Sequence, residues 1–208
     1  MGASIMIAFT SQKAMVSQSD DDCLTSLPEG FLPFEEFQKE FTLGAVSTEQ
    51  LNPITKTLSQ VVHKDILEGL GLLLNAEEKV IEGFKLFIPS IRAIAPQIAT
   101  RIGKEGRVFL IGSGSSGRVA VDIAAKCSLV FPECAHQIRG IIAGGDSALI
   151  RAREGFEDSK EDGMRVLETC DLNSKDTVIL ISASGSSSFN VGCGHFSANR
   201  GGQCVLFL

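Results

Sequence analysis

The chain has 208 residues, of which 44% are hydrophobic and 21% are charged, and its formal net charge at pH 7 is -6. This size fits one globular domain with an extension. The negative charge argues against a nucleic-acid surface, because such surfaces need clustered Lys and Arg to displace phosphate counterions. No stretch of the sequence reaches the roughly 18 apolar residues of a membrane span. We therefore expect neither nucleic acid nor a membrane as a partner.

The six cysteines are scattered, without a Cys-x-x-Cys pair and without a histidine at metal-ligand spacing. This pattern disfavours both a zinc site and a disulfide scaffold. We expect reduced thiols, a cytoplasmic protein, and neither a metal nor a cofactor.

The first part of the chain divides into two segments. Residues 1–45 are polar and irregular, which predicts a flexible or loosely docked N-terminal extension. Residues 46–104 are predicted to be helical, because apolar residues recur at helical spacing over 57–68 and again over 77–102.

In the second helical stretch the apolar residues recur every three or four positions, which predicts one core-facing stripe. The stripe consists of Val80, Phe84, Phe87, Ile91, Ile94, Ile98 and Ile102. Pro89 and Pro96 fall inside this pattern. A kink or break is expected at one of them, since proline removes an amide donor and clashes with the preceding turn.

From residue 105 to residue 208, four short apolar runs alternate with helix-length segments. The runs read RVFLIGSG, IRGIIAGG, DTVILISASG and QCVLFL. Continuous apolar runs are typical of parallel strands that are covered on both faces. We predict an α/β fold, a three-layer α-β-α sandwich around a parallel sheet. Ligands in such sheets bind beyond the carboxyl ends of the strands.

The sequence stops at Leu208, inside the fourth apolar run. A last strand without a following helix would expose one face and one edge to water. We therefore expect a truncated chain that is incomplete at its C-terminus, or another segment that covers this edge.

Two loops at predicted strand ends are rich in hydroxyl groups: GSGSSG at 112–117 and SASGSSS at 182–188. Glycine amides and serine hydroxyls at helix N-termini suit a phosphate dianion. The first loop also fits the dinucleotide pattern G-x-G-x-x-G, but the acidic residue expected about 20 positions later is missing. Because there are two such loops at equivalent strand ends, the sequence favours a phosphate site over a dinucleotide site.

Three segments, GSGSSGR, GIIAGGDSALIRAREGFEDSKEDG and ILISASGSSSFNVG, resemble a known family. They are similar to the sugar isomerase (SIS) domain of the N-acetylmuramic acid 6-phosphate etherases and of the glucokinase regulatory protein. TEQLNP at 48–53 resembles the opening segment of the same family, so the resemblance covers roughly residues 46–208. It implies that residues 105–208 form a parallel SIS sheet that binds a phosphorylated sugar.

The resemblance implies site residues position by position. In the first loop, Ser115 and Ser116 match positions that contact the sugar phosphate. The second loop matches at Ser182, Ala183, Ser184, Ser186 and Ser187. Glu157 matches an acid that contacts sugar hydroxyls in the regulatory protein, and Glu154 is its neighbour. On charge pattern alone, these two acids would also fit a solvated helix face.

Two positions depart from the etherases. The etherase pattern SGRLG-x-x-D-A-S-E-C has a glutamate, held to be the general acid, where this chain has Lys126, and the proposed base after Gly-Gly is here Asp146. Ether elimination needs a base for the acidic C–H and an acid for the departing oxygen. Lysine, with an ordinary pKa of about 10.4, is a poor proton donor at neutral pH. Lys126 is also placed to pair with Asp122 one turn earlier.

The binding residues therefore match and the catalytic pair does not. The regulatory protein also lacks the acid and has Asp after its Gly-Gly. The favoured interpretation is a non-catalytic, carbohydrate-derivative-binding module that senses a ketose phosphate for a hexokinase-type or glucokinase-type partner. Such a module would be a homodimer if complete, in the cytoplasm or the nucleus. The alternative is an active etherase, a carbon-oxygen lyase that releases D-lactate in amino sugar catabolism, with Asp146 as base. A third interpretation is a partial chain that folds poorly.

The stretch FNVGCGHF at 189–196 departs from both branches of the family. Gly192 and Gly194 are expected to interrupt a helix there, each at a cost of roughly 1 kcal/mol. His63, His136 and His195 have no partner at catalytic or ligand spacing, so we predict structural roles for all three.

Overall fold

The structure, a computed structural model, describes residues 6–9, 14–16, 31–32 and 50–207. The three short segments near the N-terminus are strands β1 (Met6–Phe9), β2 (Ala14–Val16) and β3 (Phe31–Leu32). The predicted extension over residues 1–45 otherwise lies outside the described residues.

Three helices precede the main sheet. They are α1 (Leu58–Lys64), α2 (Ile66–Phe84) and, after a short 3-10 turn (Lys85–Phe87), α3 (Ile88–Gly103). Strands and helices then alternate. They are β4 (Val108–Gly112), α4 (Gly114–Val130), a 3-10 helix (Pro132–Gln137), β5 (Ile138–Ile142), α5 (Ser147–Ile150), α6 (Lys160–Thr169), β6 (Thr177–Ile181), α7 (Ser188–Asn199) and β7 (Gln203–Phe207).

Strands β4 to β7 form the predicted parallel sheet, in the order β5-β4-β6-β7. In its register, Phe109 of β4 lies opposite Arg139 of β5 and Val178 of β6. Strand β1 pairs in parallel with the other side of β7, with Ile7 opposite Val205. The edge of β7 that the sequence was expected to leave bare is therefore paired with a segment from the N-terminal part of the chain. Strand β2 continues antiparallel to β1, and β3 runs parallel to β2.

Alternate residues of strands β4 to β7 face opposite layers of helices. On one face, Phe109, Val178 and Leu206 belong to a core cluster that also contains Leu167 of α6 and Phe189 of α7. On the other face, residues of the same strands pack against α3 and α4. That second set contains Val108, Leu110, Ile179 and Val205, packed with Ile94, Ile98, Ala120 and Ala124. The predicted three-layer sandwich is confirmed.

The predicted apolar stripe over residues 77–102 is only partly core-facing. Ile94 is buried, but Val80 is 66% exposed and Phe84 is 48% exposed. The reason is a break at residues 85–87, after which α3 begins with Pro89 in its first turn. Proline is tolerated there because the first amides of a helix have no intrahelical acceptor. The expected break thus comes just before Pro89, at residues 85–87, whereas Pro96 lies inside α3.

The prediction that glycines interrupt the helix over 189–196 is wrong. Helix α7 is continuous from Ser188 to Asn199. A Cβ on Gly192 would clash with the carbonyl of Lys160, and a Cβ on Gly163 would clash with the carbonyl of Phe189. Glycine at these two positions lets α6 and α7 cross in close contact, so the cost in helix propensity is offset by packing.

Helix α2 carries many large apolar side chains that are exposed. They are Ile66, Leu67, Leu70, Leu73, Leu74, Val80, Ile81 and Phe84. An apolar surface of this extent on a helix is typical of a surface that meets another chain or segment. None of the helices among the described residues is long and apolar enough to cross a membrane.

Candidate functional site

The two serine-rich loops meet at the carboxyl end of the sheet. They follow β4 and β6, which are neighbours in the sheet. The hydroxyl oxygens Oγ of Ser113 and Ser187 lie 2.8 Å apart in a hydrogen bond that joins one loop to the other. The two loops, which were expected at equivalent strand ends, are thus in direct contact.

The first loop is a tight turn between β4 and α4. A Cβ on Gly112 would lie only 2.7 Å from the backbone nitrogen of Gly117, so glycine is required where the strand passes the helix. Ser113 is the N-cap residue of α4, but its side chain makes no capping hydrogen bond. The positive end of this helix is therefore available to an anion. Ser115 is exposed and Ser116 is half-buried in the first turn.

The second loop uses some of its serines to hold its own shape. Ser182 is buried, and its Oγ accepts a hydrogen bond from the amide of Gly185 at 2.9 Å. Ser187 caps α7 by accepting from the amide of Asn190. The hydroxyls of Ser184 and Ser186 hydrogen-bond to each other at 2.6 Å.

Ala183 is exposed, and so is Ser186, whereas Ser184 is half-buried. Ala183 and Ser186 are therefore the most accessible of these positions, while the hydroxyls of Ser182 and Ser187 accept backbone hydrogen bonds that hold the loop and the start of α7.

The segment with the two predicted acids lies beside both loops. The backbone carbonyl of Glu157 accepts hydrogen bonds from the amide of Phe189, at 2.9 Å, and from the hydroxyl of Ser187, at 3.3 Å. A cavity of about 130 Å³ opens next to the first loop. It is lined by Gly114, Arg118, Ala143, Ala148, Ala152, Arg153, Glu154 and Glu157. Glu154 and Glu157 thus face the same cavity as the start of α4.

Two arginines of this cavity were not identified from the sequence as site residues. Arg118 donates to the backbone carbonyls of Ala148, at 2.8 Å, and Leu149, at 3.3 Å, and so fixes α5 against α4. Arg153 donates to the hydroxyl of Ser147 at 2.9 Å. Arg118 directly follows the GSGSSG loop in the sequence, which was the one available signal for its position.

Neither of the two residues discussed for catalysis is part of the cavity lining. Asp146 is exposed, follows two glycines with positive φ, and is not part of the cavity lining. Lys126 lies about 16 Å along α4 from Ser115, at about 1.5 Å per residue. Its Nζ is 2.6 Å from Asp122 Oδ2, and its side chain is 70% exposed. The predicted pairing of Lys126 with Asp122 is confirmed.

Asn190 is a further polar residue that the sequence did not point to. It is only 2% exposed, and its Nδ2 donates to the carbonyl of Ile181 at 2.9 Å. Its amide oxygen Oδ1 has no hydrogen-bond partner within the described residues. A buried acceptor without a partner is costly, so an internal water would be stabilised at this atom.

The described part of the chain contains no group of three or more His, Cys, Asp and Glu side chains that could hold a metal ion. Five of its cysteines are free thiols. Burial raises the pKa of the Cys193 and Cys204 thiols well above the usual range, so both are protonated and unreactive at neutral pH.

Comparison with known proteins shows the family of this chain. The family described as the glucokinase regulatory protein N-terminal SIS domain matches residues 90–198, just over half of the chain. N-acetylmuramic acid 6-phosphate etherase 1 of Bacillus licheniformis is 34% identical over 164 residues, which are 78% of this chain and 53% of that protein. The etherase of Thermosynechococcus vestitus is 37% identical over 149 residues, which are 70% and 46% of the two chains.

The chain thus spans about half the length of the curated relatives it matches. The matched region runs from α3 to the last turn of α7 and contains both serine loops and the cavity beside the first loop. This chain belongs to the SIS domain family of the glucokinase regulatory protein N-terminal domain.

Proposed function

We propose that this chain forms the sugar-phosphate-binding part of an N-acetylmuramic acid 6-phosphate etherase. The observation that carries the proposal is the hydrogen-bonded junction of Ser113 and Ser187 beside the cavity with Glu154 and Glu157. The names of the curated relatives favour this function over the sensing role that the departures at Lys126 and Asp146 suggested.

The proposed ligand position follows from the chemistry of the site. The phosphate is held by the free amides at the start of α4 and by the hydroxyls of Ser115, Ser116, Ser184 and Ser186. Charged hydrogen bonds of this kind contribute on the order of 1.5–3 kcal/mol each. The carboxylates of Glu154 and Glu157 accept hydrogen bonds from the sugar hydroxyls.

The proposed reaction is an elimination. A base removes the acidic proton from the sugar carbon next to the carbonyl carbon. The bond from the following sugar carbon to the lactate oxygen then breaks, and an acid protonates the departing oxygen. Asp146 is the proposed base. Lys126 lies about three turns after the start of α4 and is paired with Asp122. The acid must therefore come from another group of this chain or from a second subunit.

The direct test is a combined binding and activity measurement on the whole chain. N-acetylmuramic acid 6-phosphate at a hundred times its dissociation constant should stabilise the fold by about 2.7 kcal/mol. Release of lactate that Asp146→Asn abolishes would support the etherase proposal. Absence of any thermal shift with N-acetylmuramic acid 6-phosphate, fructose 6-phosphate and fructose 1-phosphate at millimolar concentration would overturn sugar-phosphate binding itself.

The second candidate function is sensing without turnover, which the Lys126–Asp122 ion pair favours. In this role a ketose phosphate binds and changes the affinity for a hexokinase-type or glucokinase-type partner. Binding of fructose 6-phosphate without lactate release, together with inhibition of glucokinase that depends on this ligand, would support it. If Lys126→Glu then produced lactate release, the lost acid would be the reason for inactivity.

The exposed apolar side chains of α2 support a further part of the proposal, a homodimer. Leu67 and Leu74 are among the exposed residues of this helix. Sedimentation of the wild-type chain should give a dimer, and Leu67→Glu with Leu74→Glu should give a monomer. A monomeric wild-type chain at tens of micromolar would exclude this assembly.

The division of the chain and its location are also proposals. We propose an extension over residues 1–45, a helical segment over 46–104 and the SIS domain over 105–208, in a cytoplasmic protein. Limited proteolysis should cut first within residues 1–45 and last within residues 105–208. Early cuts inside 105–208 would contradict this division.

A further inference from the structure

The cavity beside the first serine loop contains two guanidinium groups with different surroundings. The guanidinium of Arg118 donates hydrogen bonds to the carbonyls of Ala148 and Leu149 and so holds α5 in place. Arg153 lines the same cavity, and its one hydrogen-bonded partner among the described residues is the neutral hydroxyl of Ser147. No ion pair within the described residues includes Arg153.

The position of Arg153 is fixed by a ring as well as by a hydrogen bond. Its guanidinium carbon lies 4.7 Å from the centre of the Phe156 ring. Phe156 in turn packs against the main core cluster and beside Gly144, where the backbone turns with positive φ. A cation held in this way loses little side-chain entropy on binding a ligand.

The two carboxylates of the cavity do not neutralise this cation directly. Glu154 and Glu157 line the same cavity, but neither carboxylate lies within 4.0 Å of the Arg153 guanidinium. The charge of Arg153 is therefore available to a ligand in the cavity, and guanidinium binds carboxylate in a two-pronged geometry.

The phosphate does not need this cation. The two serine loops, GSGSSG at 112–117 and SASGSSS at 182–188, contain no charged residue and offer only amides and hydroxyls. Arg153 lies on a different segment, which follows α5. A ligand whose phosphate occupies the loops would reach Arg153 with another part of the molecule.

We infer that Arg153 is a specificity-determining residue, which binds a carboxylate carried by the sugar phosphate on a substituent away from the phosphate. This inference rests on the proposed sugar-phosphate site. Arg153 would make the cavity bind sugar phosphates that carry a second anionic group more tightly than sugar phosphates whose other substituents are only hydroxyls.

The experiment compares two ligands that differ only in the substituent that carries this carboxylate. N-acetylmuramic acid 6-phosphate carries a lactyl carboxylate, and N-acetylglucosamine 6-phosphate has a hydroxyl in its place. Dissociation constants are measured by calorimetry for the whole chain and for Arg153→Gln, Arg153→Lys and Arg151→Gln. Each of these proteins is first measured with the additional substitution Asp146→Asn, which should slow the proposed cleavage. The measurements are then repeated with Asp146 intact. Arg151→Gln is the matched control, because Arg151 is exposed and is not part of the cavity lining.

Arg153→Gln should weaken binding of N-acetylmuramic acid 6-phosphate by about tenfold to a hundredfold, the usual effect of a lost charged hydrogen bond. Binding of N-acetylglucosamine 6-phosphate should change by less than about threefold, Arg153→Lys should be intermediate, and Arg151→Gln should leave both affinities unchanged. Equal losses for both ligands, or no loss for either, would overturn the role of Arg153. If the wild-type chain bound neither ligand, the proposed function would fail together with this role. A thermal unfolding curve of each variant separates these outcomes from misfolding.

Discussion

The two ends of the parallel sheet differ in how completely their polar groups are satisfied by one another. At the amino end, Arg107 and Asp176 precede the neighbouring strands β4 and β6. Their side chains form a two-pronged ion pair, with Nη2 to Oδ2 at 2.7 Å and Nε to Oδ1 at 3.1 Å. At the carboxyl end, the first amides of α4 have no side-chain cap and Asn190 Oδ1 has no described partner.

The amino end is saturated with internal hydrogen bonds. Asp176 is 1% exposed and also accepts from the backbone amides of Asn173 and Arg107. Arg107 donates further to the carbonyls of Cys170 and Asp171. Polar groups that satisfy one another stabilise the fold, whereas polar groups left open at the other end cost stability and are available to a ligand. The contrast assigns stability to one end of the sheet and binding to the other.

The largest expected effect is at the amino end. Asp176→Ala should lower the free energy of unfolding by about 3–5 kcal/mol, because it leaves Arg107 and two amides without their acceptor. Urea denaturation of the variant measures this. Asp122→Ala, which removes an exposed ion pair in α4, is the matched control and should cost only about 0.3–0.5 kcal/mol. Equal effects of the two variants would remove the distinction between the ends.

Low pH should weaken the ion pair of Arg107 and Asp176. Burial by itself raises the pKa of Asp176, but hydrogen bonds from the Arg107 side chain and from the amides of Asn173 and Arg107 outweigh burial and lower the pKa below its ordinary 3.8. A carboxylate with a lowered pKa stabilises the fold above its unfolded pKa and loses this contribution as the pH falls through its folded pKa.

Stability should therefore decline below about pH 4, and Asp176→Asn should show a smaller decline. Thermal unfolding between pH 2 and pH 6 measures both. An unchanged acid dependence in Asp176→Asn would contradict the assigned role of the carboxylate.

A smaller loss of stability, with a larger loss of binding, is expected at the junction of the serine loops. Ser187→Ala removes the cap of α7 and the hydrogen bond to Ser113, and should cost about 1 kcal/mol. It should also weaken sugar-phosphate binding about tenfold, since the two loops are no longer tied together. Ser159→Ala removes the equivalent cap of α6 and is the control. Similar binding losses in both variants would show that capping, not the junction, is responsible.

The smallest effect on stability is expected for a residue that only binds. Ser116→Ala should change the free energy of unfolding by less than about 0.5 kcal/mol. Affinity for a sugar phosphate should fall about tenfold or more. Ser128→Ala, in the last turns of the same helix, should change neither quantity appreciably, and calorimetry with both variants makes the comparison. A Ser116→Ala protein with full affinity would remove Ser116 from the site.

Much of the fold and part of the site could be predicted from local patterns. The four apolar runs form β4 to β7, and the helix breaks just before Pro89, at residues 85–87. The two serine loops lie at neighbouring strand ends, and Glu154 and Glu157 line the adjacent cavity. These outcomes follow from the continuous apolar character of buried parallel strands and from the meeting of their carboxyl ends at one edge.

Other features depend on which segments meet, and no local pattern encodes that. From the sequence, Gly192 is expected to break a helix, but in the structure it allows α6 to pass close to α7. Val80 is expected in the core, but it lies on α2, which ends before α3, and it is exposed.

By itself, therefore, the sequence determined the layered α/β architecture, the serine loops and the ion pair of Lys126 with Asp122, all of which depend on residues close together along the chain. Only the tertiary structure decided that Ser113 bonds to Ser187, that β1 pairs with β7, and that Arg153 is held over Phe156 in the cavity. These contacts join residues from separate segments, and their free energy arises only when the sheet has brought those segments together.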